Sequence, residues 1–180
     1  MGYYKIYLGL GGNIGDVFTT ISKALAALEA IDHTKILHLS SPYKTPPWGN
    51  VQQPPFINAC ALVQTTTPPE SFLELCLDIE RKLHRERREK WGPRTIDIDL
   101  LTLENDFKFH SSNLILPHPH MLQRAFVLIP LNEIAPDLIV LGKKIRYWTK
   151  TQEKNIENEE IQRLSLPESW KNFQNKHIKG

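Results

Sequence analysis

The chain has 180 residues, of which 41% are apolar and 23% charged, the balance of an ordinary single-domain globular protein. A formal net charge of +2 is too small to indicate a nucleic-acid-binding protein. No apolar run is long enough to span a bilayer, and the N-terminus lacks the pattern of a signal peptide. Cys60 and Cys76 lie inside apolar runs, so we expect reduced, buried cysteines and a cytoplasmic protein.

The predicted elements follow the order strand, helix, strand, strand, helix, strand. Alternating or apolar runs predict strands at 3–10, 35–39, 56–63 and 96–103. Asp16 is a candidate N-cap for the first helix, and Thr67 with Glu70 forms a candidate capping box for the second. This order favours an α+β fold of ferredoxin-like kind, a three-layer sandwich in which helices flank a central, mainly antiparallel sheet.

The remaining segments are predicted to be less regular. "GGNIGD" at 11–16 is predicted to be a turn, and the proline-rich segment 42–55 a loop. A short apolar helix is predicted from about Phe126. Beyond residue 150 the composition changes to Lys, Glu, Asn and Gln. We therefore predict a domain at 1–150 and a polar C-terminal extension at 151–180, partly docked through residues such as Trp170 and Phe173.

The stretch "RTIDIDLL" is the most informative for function. Alternation along a strand places Asp97 and Asp99 on one face and Ile98 on the other. Two adjacent carboxylates repel each other unless a cation neutralises both, and Mg²⁺ often binds one or two carboxylates together with substrate phosphates. Arg94 and a basic run before it are the cations that a phosphoryl-transfer site needs. The alternative is a half-exposed strand whose polar residues face water.

Other polar and aromatic residues leave alternatives open. Phe56 and Phe126 by themselves would more often be core residues than ligand platforms. Asn58 lies inside an apolar strand, so its amide needs a backbone or ligand partner. His118 and His120 are too few for a convincing zinc site. "GLGGNIG" does not fit a dinucleotide fingerprint, because Ile14 stands where the third glycine is required.

Four segments together resemble one enzyme family. "KWGPRTIDIDLL" is similar to the signature of the hydroxymethyl-dihydropterin pyrophosphokinases, and "YLGLGGNIGD" to their opening strand and Gly-Asn turn. "SSPYKTPPWG" followed by "QPPFINACALVQT" resembles their pterin-binding loop and strand, and "LPHPHMLQRAFVLIPLNEIAP" their closing segment. The resemblance covers residues 3 to 140 and leaves the tail outside.

The resemblance implies an enzyme of folate biosynthesis that transfers pyrophosphate from ATP to 6-hydroxymethyl-7,8-dihydropterin and releases AMP. It implies two Mg²⁺ ions on Asp97 and Asp99, with ATP as co-substrate. The implied catalytic residues are Arg94, Asp97, Asp99 and His118. The implied ATP-binding residues are Glu80, Arg85, Arg87, Trp91, Arg94, His118 and Arg124. The implied pterin-binding residues are Thr45, Trp48, Phe56, Asn58, Asp97 and Phe126.

Two other functions remain open at this point. A ferredoxin-like nucleic-acid or regulatory binding module would use the basic run and exposed aromatics, but it gives no reason for the carboxylate pair. A related nucleotidyl transferase would release pyrophosphate instead of AMP. We expect ATP and the pterin as binding partners, no nucleic acid, no membrane, and a monomer.

Overall fold

The computed structural model describes residues 2–47, 52–83, 94–154 and 160–174. The strands in chain order are β1 (Tyr4–Gly12), β2 (Lys35–Leu39), β3 (Tyr43–Thr45), β4 (Phe56–Thr65), β5 (Asp97–Leu103), β6 (Phe109–His110), β7 (Ile115–Leu116), β8 (Ile139–Val140), β9 (Lys143–Lys144) and β10 (Gln162–Arg163). The α-helices are α1 (Val17–Glu29), α2 (Pro69–Lys82), α3 (Ala125–Ile134), α4 (Ile145–Thr151) and α5 (Glu168–Gln174). Short 3₁₀ helices occupy Glu104–Asp106 and Met121–Gln123.

One six-stranded sheet organises the described residues. Its strand order is β10-β3-β4-β1-β5. The sixth strand, β2, also pairs with β4, along a different stretch of β4 from the one that pairs with β3. Every pairing in this sheet is antiparallel. The pairs β6-β7 and β8-β9 form separate two-stranded ribbons. The order of the four long strands, β5-β1-β4-β2, arises because β1 pairs with both β4 and β5, which confirms the predicted α+β, ferredoxin-like class.

Two hydrophobic clusters cover the two faces of the sheet. One combines alternate residues of β1, β4 and β5 with the apolar stripes of α1 and α2 and with Trp170 and Phe173 of α5. The other combines the opposite faces of the same strands with α3 and with Ile145, the first residue of α4. Because strand side chains alternate, one strand supplies both clusters, and the fold becomes three layers.

Three local predictions are wrong in detail. Gly11 and Gly12 belong to β1 and not to a turn, and β3 occupies part of the segment predicted to be a loop. A Cβ on Gly11 would lie 2.2 Å from Asn58 Oδ1, so these glycines permit close approach between strands. The second helix has Pro68 as its N-cap with no side-chain cap hydrogen bond. Glu70 accepts a hydrogen bond from Ser111 Oγ at 3.0 Å instead of closing a capping box.

The C-terminal tail packs on the domain over its described part. β10 pairs with β3, and Leu164 donates its backbone N–H to the carbonyl of Pro42 at 2.9 Å. Trp170 is fully buried, and its Nε1 donates to the Phe18 carbonyl at 3.0 Å. The predicted boundary near residue 150 lies close to the end of α4. The division into a domain at 1–150 and an extension at 151–180 stays a prediction.

Candidate functional site

The paired carboxylates lie on one face of β5. Asp97 and Asp99 are half-buried, whereas the intervening Ile98 is buried in the core on the opposite face. Arg94 Nη1 lies 2.5 Å from Asp97 Oδ2, and the Arg94 guanidinium stands 5.9 Å from the centre of the Phe56 ring. The strand alternation predicted from the sequence therefore places two carboxylates, a cation and an aromatic ring together.

A cavity opens beside the carboxylates. It lies between β1, β3, β4, β5 and the beginning of α3. The sequence-predicted residues that line it are Thr45, Phe56, Asn58, Arg94, Asp97, Asp99, Arg124 and Phe126. This first cavity brings together all the described residues that the resemblance assigns to the pterin.

The floor of the first cavity is set by the pairing of β1, β3 and β4. Asn58 is opposite Gly11 in one pairing and opposite Tyr43 in the other. Its Nδ2 donates to Thr45 Oγ1 at 2.8 Å, and the missing side chain of Gly11 leaves room for its Oδ1. The amide that is unusual inside an apolar strand is thus held in place by its two neighbouring strands.

Arg124 brings a second cation to the first cavity. It is buried at the start of α3, and its guanidinium lies 5.7 Å from the centre of the Phe126 ring. Burial lowers the Arg124 pKa, while the charges of Asp99 and Asp97 act in the opposite direction. The structure places Arg124 in the lining of the first cavity, and its predicted contact with ATP stays a prediction.

A second cavity, of about 320 Å³, lies at the β5 edge of the sheet. It is enclosed by α2, β5 and the segment 112–119. Leu73 and Leu77 supply apolar lining, and Glu80 and His118 supply polar lining. Asp99 lines both cavities, so one carboxylate stands where the two spaces adjoin.

Glu80 is buried beneath the second cavity. Its side chain is 2% exposed, and its Oε1 accepts the backbone N–H of Ile98 at 2.8 Å. This bond fixes the part of β5 that lies between the two aspartates. Glu80 therefore lies at the second cavity, and its predicted contact with ATP stays a prediction.

His118 is anchored by a β-bulge in β5. The β1–β5 register shifts between Tyr7 and Leu8, which leaves Leu101 without a partner in β1. The Leu101 carbonyl instead accepts the His118 backbone N–H at 2.6 Å. Bulges commonly redirect groups near active sites in this way.

The imidazole of His118 is a neutral donor. Its Nδ1 accepts the backbone N–H of His120 at 3.1 Å, so the ring proton lies on Nε2. Burial, and then the nearby Arg124 charge, lowers the His118 pKa to about 4. The ring therefore stays neutral at physiological pH and can donate through Nε2–H.

Asn13 is a site residue that the sequence prediction missed. It is buried, its Nδ2 donates to Gln53 Oε1 and the Pro54 carbonyl, and its Oδ1 accepts the Arg94 N–H. It thus connects the end of β1 to two segments that approach the first cavity. An asparagine inside a glycine-rich turn was the available signal, because such a side chain commonly bonds to nearby backbone.

The donor set can be compared with the predicted magnesium site. No group of three or more His, Cys, Asp or Glu side chains that could hold a metal is found among the described residues. Asp97 and Asp99 are two carboxylates on one face, the set that Mg²⁺ uses when substrate phosphates complete its shell. The residues present fit a magnesium ion shared with phosphate, and they do not fit a metal caged by protein alone.

Four predicted site residues lie outside the part of the chain that the structure describes. They are Trp48, Arg85, Arg87 and Trp91. Their predicted contacts with the pterin and ATP stay predictions. No helix among the described residues is both long and apolar enough to cross a membrane.

The fold and the site together indicate an enzyme that brings together two small substrates. The sequence profile of the 7,8-dihydro-6-hydroxymethylpterin-pyrophosphokinase (HPPK) family matches residues 7–136. A 2-amino-4-hydroxy-6-hydroxymethyldihydropteridine pyrophosphokinase of Methylorubrum extorquens is 44% identical over 142 residues, which cover 79% of this chain and 89% of that protein. The protein of the same name from Bacillus subtilis is 42% identical over 128 residues, 71% of this chain and 76% of its own length.

Solved structures show the same fold. Wild-type Plasmodium falciparum HPPK-DHPS with STZ-DHP has a TM-score of 0.71 at 18% identity and covers 90% of this chain. The S436F/A437G/A613T triple mutant of that protein has a TM-score of 0.70 and covers 87%. The chain spans less than half of those two solved chains, 47% and 44% respectively. At 18% identity, the likeness to them shows the fold and not the function.

The chain belongs to the 7,8-dihydro-6-hydroxymethylpterin-pyrophosphokinase family, since the profile spans most of its length and the relatives are well above 30% identical. It is therefore an ATP-dependent diphosphotransferase. This result confirms the predicted enzyme class over the alternative of a binding module without catalysis.

Proposed function

We propose that the chain catalyses in-line attack of the hydroxymethyl oxygen of 6-hydroxymethyl-7,8-dihydropterin on the β-phosphorus of ATP. The new bond joins that oxygen to the β-phosphorus, the bond from the β-phosphorus to the oxygen bridging it to the α-phosphorus breaks, and AMP leaves with that oxygen. The hydroxyl proton passes to solvent. The observation that carries the proposal is that Asp99 lines both cavities, with Asp97 beside it on the same face.

The first cavity is the proposed pterin site. A pterin is flat and polar at its edge, so it needs aromatic faces and in-plane hydrogen bonds. Phe56 and Phe126 supply the faces, and Asn58 with Thr45 supplies polar groups.

The second cavity is the proposed nucleotide site. Its apolar walls at Leu73 and Leu77 suit a base, and Asp99 connects it to the first cavity. His118 would donate Nε2–H to a phosphate oxygen as a neutral group, which stabilises developing negative charge without requiring a proton from solution. The predicted contacts of Arg85, Arg87 and Trp91 with ATP belong to the same proposal.

Asp97 and Asp99 would hold the two Mg²⁺ ions of this proposal. Bound Mg²⁺ neutralises phosphate charge and orients the reacting oxygens. Arg94 keeps Asp97 in place through its 2.5 Å contact, and Arg94 and Arg124 add positive charge on the pterin side of the carboxylates. These side chains are oriented before substrates arrive, which is how a protein lowers the cost of charge development.

Product analysis tests the proposal directly. The purified protein is incubated with ATP, Mg²⁺ and 6-hydroxymethyl-7,8-dihydropterin, and the nucleotides are separated. We expect AMP only when pterin and Mg²⁺ are both present. ADP would indicate ordinary kinase chemistry, and pyrophosphate would indicate nucleotidyl transfer; either product overturns the proposed reaction.

We further propose that the enzyme acts in the cytoplasm as a monomer and binds no nucleic acid. The near-neutral net charge of +2 supports the last point. Size-exclusion chromatography with light scattering tests the oligomeric state. A mass of twice 20.8 kDa would contradict the proposed monomer.

A further inference from the structure

Glu133 joins three parts of the fold through its carboxylate. It lies near the end of α3, and its Oε1 accepts the backbone N–H of Ser41 at 3.0 Å and the Ser41 hydroxyl at 2.9 Å. Its Oε2 accepts the Tyr43 hydroxyl at 2.6 Å. Arg163 Nη2 lies 3.3 Å from Oε1. A single, mostly buried carboxylate thus receives four donors.

The partners of Glu133 belong to the two walls of the first cavity. Tyr43 begins β3, which carries Thr45 on one wall, and Glu133 belongs to α3, which carries Phe126 on the other. Neither Glu133 nor Tyr43 lines the cavity. Burial, and then the bond to the Glu133 carboxylate, raises the pKa of Tyr43, so its hydroxyl remains a donor.

The C-terminal tail supplies the fourth donor. Arg163 pairs with Tyr43 in the β10–β3 ladder, and its Nε donates to Ser41 Oγ at 3.0 Å. The tail is fixed beyond this point because Trp170 is buried in the core. Arg163 therefore reaches the carboxylate from a chain segment that is held on both sides of it.

We propose that Glu133 and Arg163 are positioning residues that hold the β3 wall of the first cavity against the α3 wall and so set its affinity for the pterin. The inference rests on the proposed placement of the pterin in the first cavity. It assigns a role in substrate binding to the C-terminal tail, which lies outside the residues matched by the family profile. Charged hydrogen bonds are strong enough for this role when one partner is shielded from solvent.

Steady-state kinetics of full-length variants test the role. We expect Arg163→Ala and Glu133→Gln each to raise the KM for the pterin about 3- to 10-fold, since each weakens charge-assisted hydrogen bonds. The KM for ATP and kcat should stay within about 2-fold of the wild type. Arg163→Lys, which keeps the charge, should recover part of the pterin affinity.

The control is Arg146→Ala. Arg146 is another exposed arginine, with a side chain 54% exposed against 63% for Arg163. Its Nη2 lies 2.9 Å from Asp137 Oδ1, and neither residue lines the first cavity. We expect no change in either KM. Thermal unfolding of all variants separates the roles, because a purely structural contact lowers Tm without changing the pterin KM, and that result overturns the inference.

Two further variants make the outcomes distinguishable. The double variant Glu133→Gln/Arg163→Ala should raise the pterin KM less than the product of the single effects, because both residues act through one contact; a fully multiplicative effect contradicts a shared role. Asn58→Ala tests the cavity itself. If Asn58→Ala leaves the pterin KM unchanged, the proposed placement of the pterin is wrong. If Asn58→Ala raises the pterin KM but the Glu133 and Arg163 variants do not, the pterin placement stands and the positioning role is refuted.

Discussion

The two cavities that adjoin at Asp99 are built in different ways. The first is set among strands in the sheet, and it is held by the Asn58–Thr45 hydrogen bond and by the Glu133 contacts. The second lies at the β5 edge, where α2 and the segment 112–119 supply most of the lining. The proposed pterin site therefore depends on strand pairing, whereas the proposed nucleotide site depends on a helix and a loop.

This difference implies different tolerance to change. A cavity floored by paired strands is rigid, because moving one wall breaks ladder hydrogen bonds. A cavity between a helix and a connecting segment adjusts more easily, because loops carry fewer constraints. We expect substitutions at the first cavity to change the affinity for the pterin sharply. At the second cavity, we expect substitutions to act mainly by changing the charge and the protonation of its side chains.

The largest expected effect lies where the cavities adjoin. Asp99→Ala and Asp97→Ala should each lower kcat at least ~10²-fold, as the loss of a preorganised charge-stabilising group does. Asp78→Ala, at an exposed carboxylate paired with Arg81, is the control and should leave turnover near normal. Near-normal turnover in both site variants would refute the proposed magnesium site.

Phe126→Ala should act on the first cavity alone. Losing one aromatic face should weaken pterin binding about 10-fold, with ATP affinity unchanged. Isothermal calorimetry with each substrate measures both. Phe107→Ala is a matched control because Phe107 is 58% exposed on the surface, and equal pterin affinity in both variants would count against stacking.

Neighbouring glycines of β1 test the rigidity of the first cavity. A Cβ on Gly11 meets Asn58 Oδ1 at 2.2 Å, so Gly11→Ala should displace the amide and weaken pterin binding about 5-fold. Gly9 also lines the first cavity, but the atoms nearest to a Cβ there belong to the Leu101 side chain, at 3.5 Å, which is ordinary van der Waals contact. Gly9→Ala should therefore change the pterin affinity less than about 2-fold. If the two variants bind the pterin equally, the floor is more adaptable than its pairing indicates.

The pH dependence of stability tests the environment of His118 at the second cavity. The His118 pKa is about 4 in the folded protein and about 6.5 in the unfolded chain, because burial disfavours the charged ring. The unfolded chain therefore binds a proton that the folded one does not, and the free energy of unfolding falls as pH decreases from about 6.5 to about 4. Urea unfolding should show a shallower decline for His118→Gln, and parallel curves would contradict the assigned environment.

Local pattern was sufficient for much of the fold and for part of the site. Period-two alternation placed Asp97 and Asp99 on one face, and β2 was predicted with its observed bounds. Asp16 caps α1 as predicted, with Oδ1 accepting the Thr19 N–H at 3.2 Å. These features depend on residues a few positions apart, so the sequence order contains what is needed to infer them.

Tertiary structure decided the contacts that join distant segments. The Glu133 carboxylate accepts hydrogen bonds from Ser41 and Arg163, which lie 92 and 30 positions away along the chain. No local pattern distinguishes this residue from a solvated glutamate. Likewise, the role of Gly11 as space for Asn58 depends on the β1–β4 register. The sequence by itself determined the order of the long strands and helices along the chain, the carboxylate pair and the family resemblance, because these follow from local spacing. Which residues share the two cavities was decided only by the sheet topology, because hydrogen-bond registers and side-chain contacts between distant strands are set when the chain folds.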